Sequence, residues 1–148
     1  MKDRGLEDLL AWQKAKELAV LICKEVLPRL PADERFVLAR QLRRSVQSVS
    51  ANIAEAYGRF HYQDAIRFCY VARGSLLETY SHLILARDLG YTGGREMTTY
   101  IDLLNEAARL LNGYVDYLRR SKQGGRDVKA PEDDAMLGRN PVLDEPDP

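Results

Sequence analysis

Residues 41–59 read QLRRSVQSVSANIAEAYGR, and this stretch decides the fold. At about 100° per residue, Leu38, Leu42, Val46, Val49 and Ile53 fall on one side of a helix and make an apolar stripe. Beside it runs a polar line, Gln41, Arg44, Ser48, Asn52, Glu55 and Arg59, in steps of three or four. Arg40, Arg43 and Gln47 fall on the remaining face, which solvent would cover. A surface helix needs one apolar and one solvated face. The extra polar line predicts a hydrogen-bonded register device, set where this helix meets its neighbour. Ser48, Asn52, Glu55 and Arg59 are its expected members, with Ser75 and Glu78 from the following helix, and Glu55–Arg59 its strongest pair.

Working outward, Asp33 is placed as the N-cap of this helix, with Glu34 in its first turn. The helix then runs to Tyr57, and Gly58 ends it by accepting a left-handed backbone. Upstream, Trp12, Ala15, Ala19, Ile22 and Val26 predict a first helix over Leu6–Leu27, stopped by Pro28 and Pro31. Downstream, Ala65, Phe68, Ala72, Leu76, Thr79, Leu83 and Ala86 predict a third helix over Tyr62–Leu89. That helix has a second apolar stripe of Ile66, Tyr70, Leu77 and Ile84, more than one inward face requires, which points to contact with another subunit. Met97, Ile101, Leu104, Ala108, Leu111, Val115 and Leu118, widened by Tyr100, Tyr114 and Tyr117, predict a fourth helix over Arg95–Arg120.

Helices of matched length, joined by short loops and without competing strand alternation, predict an all-α fold. The expected architecture is an antiparallel up-down-up-down four-helix bundle over residues 1–120, homo-oligomeric, followed by a disordered acidic tail over 121–148. One domain suits a chain of 148 residues that is 45% hydrophobic. Lysine plus arginine and aspartate plus glutamate number 22 each, so net charge argues for no class of partner. Four of those basic and seven of those acidic residues lie from Ser121 onward, leaving 18 and 15 in residues 1–120. The predicted bundle is therefore mildly basic and the tail acidic. No apolar run is long enough for a membrane span and the N-terminus has no signal-peptide core, so a cytoplasmic protein is expected.

Catalytic and metal chemistry find little support. Cys23 and Cys69 sit among apolar neighbours and read as small buried hydrophobes. Glu78 and His82 share one Glu-x-x-x-His spacing, but a dinuclear bundle site needs Glu-x-x-His on two helices and further carboxylates. Gly93-Gly94 is too short for a phosphate-cradling loop. A catalytic role for Glu55 with Glu78 competes with the structural network and loses to it. No catalytic residue, metal or cofactor is expected. Arginines tell more: Arg35, Arg40, Arg43 and Arg44 cluster near the start of the second helix, and Arg59 closes it. Arginine suits bidentate phosphate contact, and an oligomer would repeat the patch. These five are the candidate nucleic-acid-binding residues.

Trp12 with Lys14-Ala15, Pro31, Glu34 and Leu38, Gln41-Leu42-Arg43-Arg44, and Ser48 with Asn52-Ile53-Ala54-Glu55 form the first half of a pattern. Gly58-Arg59, Ala72-Arg73-Gly74-Ser75-Leu76, Glu78 and Leu89-Gly90-Tyr91 complete it. Over residues 6–120 the chain resembles the 23S rRNA intervening sequence protein family, departing at Ala56 and Ser50, where that family often has glycine and proline. The resemblance implies an up-down bundle that assembles as a homopentamer. It extends to the accessory variability proteins of diversity-generating retroelements, which bind nucleic acid and associate with a reverse transcriptase. The functional expectation is a non-enzymatic oligomeric scaffold that binds RNA or DNA, with a reverse transcriptase or another protein as partner. The competing expectation is a protein–protein adaptor that binds no nucleic acid.

Overall fold

The computed structural model describes residues 4–123. Helix dominates them and no strand occurs among them. The helices are α1 (Arg4–Glu7), α2 (Leu10–Leu21), α3 (Leu38–Gly58), α4 (Tyr62–Asp88) and α5 (Gly94–Ser121). From residue 124 on, the expected acidic tail lies outside the described residues.

The first predicted helix is divided. Leu9 adopts an extended backbone and buries its side chain, while Gln13 Nε2 donates to the Glu7 carbonyl at 2.5 Å across the break. Beyond Leu21 the helix widens into a π turn, Ile22–Val26, and then tightens into a 3-10 turn, Leu27–Arg29. Ile22 and Val26 both bury, so the wide turn keeps both on the core side. Apolar spacing cannot distinguish a π turn from an α turn, since both satisfy the burial of a four-residue step.

Asp33 does not cap the second long helix. It lies in a separate 3-10 turn, Ala32–Glu34, after an extended Pro31. Glu34 N donates to Pro31 O at 2.9 Å and Val37 N to Glu34 O at 3.1 Å, so single turns precede α3. The α3 N-cap is Val37, with no side-chain cap. Gly58 is the last residue of α3 but takes no left-handed turn; the chain leaves through an extended Arg59. The glycine termination occurs after α4 instead. Gly90, at φ 80°, lets Tyr91 N reach Ala86 O and Gly90 N reach Arg87 O, both at 2.9 Å, which satisfies carbonyls a helix end otherwise leaves open.

Helix α3 packs most extensively on α4, α2 lies against α3 and α5, and α4 also meets α5. Ser48 faces Ser75 and Ser45 faces Thr79, so α3 and α4 run in opposite directions. Lys14 meets Glu106 and, in the turn that continues α2, Glu25 meets Tyr100, so this segment and α5 also run in opposite directions. Leu18, Ile22, Leu42, Ile53, Leu76, Leu83, Leu104, Leu111 and Leu118 are fully buried between them. Each such side chain contributes roughly 1.5–3 kcal/mol. The apolar stripe of α3 reaches the core whole, from Leu38 to Ile53. On α5, Tyr100 and Tyr114 are buried as well: Tyr100 Oη donates to Glu25 at 2.9 Å, whereas Tyr114 Oη has no partner among the described residues.

The two stripes of α4 fare differently. The inward one is buried except for a half-buried Phe68. The second splits: Ile66 is buried and Ile84 half-buried, but Tyr70 and Leu77 face solvent, joined there by Val71 and Leu85. Gly74 lies among them, and a Cβ added there would meet nothing within 4 Å.

Candidate nucleic-acid interface

Two polar systems lie along α3: a hydrogen-bonded seam drawn from the expected polar line, and a cluster of arginines at and before its first turns. The first sits between α3 and α4. Asn52 Nδ2 donates to the Ser48 carbonyl at 2.8 Å and to Ser48 Oγ at 2.9 Å. Ser48 Oγ lies 2.9 Å from Ser75 Oγ, and Ser75 Oγ lies 3.2 Å from Val71 O. Deeper in, Thr79 Oγ1 is 2.8 Å from Ser75 O and 3.0 Å from Ser45 Oγ, and Ser45 Oγ is 3.1 Å from Leu42 O. Ser48, Asn52 and Ser75 thus join as expected, while Ser45 and Thr79 complete the seam. Thr79 read as an apolar position because its neighbours in the stripe are apolar. Ser45 lay off the polar line, though a serine beside Leu42 and Val46 was a signal that the helix edge carries a buried hydroxyl. Small side chains along both helices permit their close approach.

Glu55, Arg59 and Glu78 stand outside that seam, and Gln41 and Arg44 do not enter it. Glu78 contacts His82 one turn along its own helix, at 3.4 Å. Arg59 pairs with Glu55 at 2.5 Å and with Asp64 at 3.7 Å, and its guanidinium lies 4.5 Å from the centre of the Phe68 ring. Arg67 pairs with Asp64 at 3.2 Å from the other side. Glu55 and Glu78 are both exposed, each held by a neighbour on its own helix or at its end, and they do not converge on one pocket. Among the described residues, no group of three or more His, Cys, Asp or Glu could hold a metal, and no helix is long and apolar enough to cross a membrane.

The second system lies at the opposite end of α3. Arg35, Arg40 and Arg43 line a groove of ≈ 510 Å³ between the turns that follow α2 and the first turns of α3. Leu27, Pro28, Leu30, Pro31 and Ala39 give it apolar walls, and the half-buried Cys23 also lines it. Phe36 stands at its edge, 75% exposed, with the Arg35 guanidinium 5.4 Å from its ring centre. Arg40 and Arg43 are one turn apart on α3, which puts them on one face. Among the described residues, neither they nor Arg35 and Arg44 are within salt-bridge distance of a carboxylate, whereas Arg29, Arg59, Arg67, Arg87 and Arg119 each are. The nearby acids are turned elsewhere. Asp33 and Glu34 lie near Tyr91, whose hydroxyl is held above its usual range by burial and then by those two charges.

Of the five arginines taken from the sequence, three therefore share the groove. Arg44 is exposed on α3 beyond the groove lining, and Arg59 is some ~25 Å away along the helix at 1.5 Å per residue. Phe36 escaped the sequence reading. An isolated aromatic in a charged stretch reads as core, and only the turn that carries it outward reveals it as surface.

At the same end, Arg29 Nη2 donates to Glu96 Oε1 at 2.9 Å, binding the end of the first helical segment to α5. The hydrogen bond from Arg29 holds the Glu96 carboxyl below its ordinary value. Burial, and then the bond to Glu25, push the Tyr100 hydroxyl up to about 12. Burial alone pushes the Cys69 thiol up to about 12, which leaves it a poor nucleophile at neutral pH.

The family model described as "23S rRNA-intervening sequence protein" matches residues 7–113. A crystal structure of a protein of unknown function from the S23 ribosomal protein family, from Bacteroides thetaiotaomicron, is similar at 26% identity. It covers 72% of this chain and 98% of its own, with a TM-score of 0.66. No curated protein matches.

Proposed function

This chain belongs to the 23S rRNA-intervening sequence protein family, and from that premise we propose that it is a non-enzymatic, oligomeric scaffold that binds RNA or DNA. The observation that carries the reading is the groove at the start of α3. Three arginines without carboxylate partners among the described residues surround an apolar surface, and such guanidinium groups match phosphate geometry. The scaffold itself is an antiparallel up-down-up-down bundle of the long helices, consistent with the opposed contacts of α2 with α5 and α3 with α4. The exposed face of α4, with Tyr70, Val71, Leu77 and Leu85, supports assembly into a homo-oligomer, a pentamer by family resemblance. Gly74 fits that use: a glycine inside a helix costs about 1 kcal/mol, and, its own turn of helix aside, no described residue of the protomer comes within 4 Å of where its side chain would stand. Repetition of the groove around the oligomer adds the local fields.

A reverse transcriptase or another cytoplasmic protein is the further partner proposed, by likeness to the retroelement accessory proteins. The same α4 face favours the second reading, a protein–protein adaptor that binds no nucleic acid. A salt titration with fluorescent RNA separates the two. Scaffold binding weakens steeply with ionic strength, because counterions are released from the phosphates. Absence of binding at low salt would leave only the adaptor. Light scattering tests assembly: a mass near the 16.8 kDa of a single chain would remove the oligomer.

A further inference from the structure

We infer that the α2–α3 groove selects single-stranded nucleic acid, seating an unpaired base against Phe36 and the proline-lined wall while Arg35, Arg40 and Arg43 hold the flanking phosphates. This rests on the nucleic-acid reading above and specifies its ligand. A duplex offers the groove phosphates, sugar hydroxyls and base edges but no base face, since its bases are stacked on one another. Phosphate capture alone would call for arginines on an open, polar surface. Here they border a recess of ≈ 510 Å³ with Leu27, Pro28, Leu30 and Pro31 in its lining, large enough for a small planar ligand. Phe36 is 75% exposed, and burying such a ring against a base stabilises the complex through its π-face. Arg35 already lies over that ring, so its guanidinium is placed to extend the stack as well as to meet a phosphate. Charge favours this occupant over a second copy of the same surface. Two such grooves face to face would oppose Arg35, Arg40 and Arg43 to themselves, and among the described residues no acid lines the groove to offset them.

Among the described residues, the recess has no hydrogen-bonding side chain in its lining other than the arginines and the weak thiol of Cys23, so base identity is read weakly. Tolerance of sequence follows, with pyrimidine and purine runs bound alike to within a few-fold.

The full chain supplies the test. Anisotropy is measured at low salt with a labelled oligouridylate and with a labelled RNA duplex of equal length. The single strand is expected to bind more tightly. Phe36→Ala is expected to weaken it about tenfold and to leave the duplex unchanged, with Phe36→Tyr restoring the loss. Phe36 is so exposed that its removal leaves the core intact, and a thermal melt verifies that. Cys23 gives a second readout, because it lines the groove while Cys69 is buried. Saturating oligouridylate is expected to slow alkylation of Cys23 in the folded chain. Equal binding of both forms with Phe36→Ala indistinguishable from wild type would overturn the inference and leave the phosphate-binding reading standing. Unaltered Cys23 alkylation in a saturated complex would move the site elsewhere. Failure of both RNAs to bind would remove the nucleic-acid reading as well.

Discussion

At the C-terminal end of α3, Arg59 is held from three sides: Glu55 and Asp64 take its charge and Phe68 its face, and its buried Nε is left without a hydrogen-bond partner among the described residues. At the N-terminal end, Arg40 and Arg43 line a groove in which, among the described residues, no carboxylate takes part and none comes within salt-bridge distance of them. The two ends share one helix and one residue type. Their difference lies in what surrounds them, since α4 begins with Asp64 and Phe68 beside the first, while proline-bound turns flank the second. An arginine that neighbours already satisfy stiffens a helix junction. One left unsatisfied beside an apolar recess is a binding group in waiting. Charge counted along the chain cannot separate these cases, because both read as basic.

The largest effect that could break this comparison is on nucleic-acid affinity. Replacing Arg35, Arg40 and Arg43 together by alanine should weaken RNA binding about a hundredfold at low salt and flatten the salt slope by about 2. Arg59→Ala should change neither by more than about twofold. Equal losses from both variants, measured by anisotropy, would erase the distinction between the ends.

Between the ends lies the seam, and the next effect is there. Thr79→Val keeps the shape but removes the hydroxyl that bridges Ser75 O and Ser45 Oγ, and should cost about 1–2 kcal/mol of stability. Denaturant unfolding measures it, and an unchanged midpoint would mean that packing alone sets the register of α3 on α4. Arg59→Ala should cost less, about 1 kcal/mol, since the pair is partly exposed and much of the loss is the stack on Phe68. Added salt should narrow that difference only in part, because the stack is less screened than the ion pairs.

The smallest effect concerns Arg29, the one arginine in the turns beside the groove that has an acid partner. The folded Glu96 carboxyl titrates below its ordinary 4.5, so the pair adds stability above that pH and loses it as pH falls through the lowered value. Glu96→Gln should therefore flatten the acid limb of the stability profile. It should also free Arg29 and strengthen RNA binding up to twofold, a slight move of that end further from the other.

Much of the fold was legible in the sequence because burial leaves a periodic trace. The α3 stripe from Leu38 to Ile53 and the α5 face from Met97 to Leu118 follow their expected helices, and the bounds of α4 agree to within a residue. Failures fell where backbone chemistry outweighs periodicity: the break at Leu9, the π turn, and the start of α3 at Leu38 in place of Asp33. At the candidate site, Arg35, Arg40 and Arg43 were found by type. Phe36 and Cys23 were not, because their neighbours across the groove come from turns whose path no short-range pattern specifies. The register of the seam was half visible: Ser48, Asn52 and Ser75 announced it, but Ser45 and Thr79, which extend it inward, hid among apolar residues.

The π turn at Ile22–Val26 has a consequence for how this chain tolerates length changes. A π turn is an α-helix carrying one residue more than its geometry needs. Lys24, exposed inside it, is the natural candidate for removal: its deletion should let the turn relax to an ordinary α-helix with Leu18 and Val26 still facing inward. The same deletion in the middle of α3 would rotate every later side chain by about 100° and pull Ser48 and Asn52 away from Ser75. One helix thus holds a spare residue that insertion and deletion can use, and the other holds none.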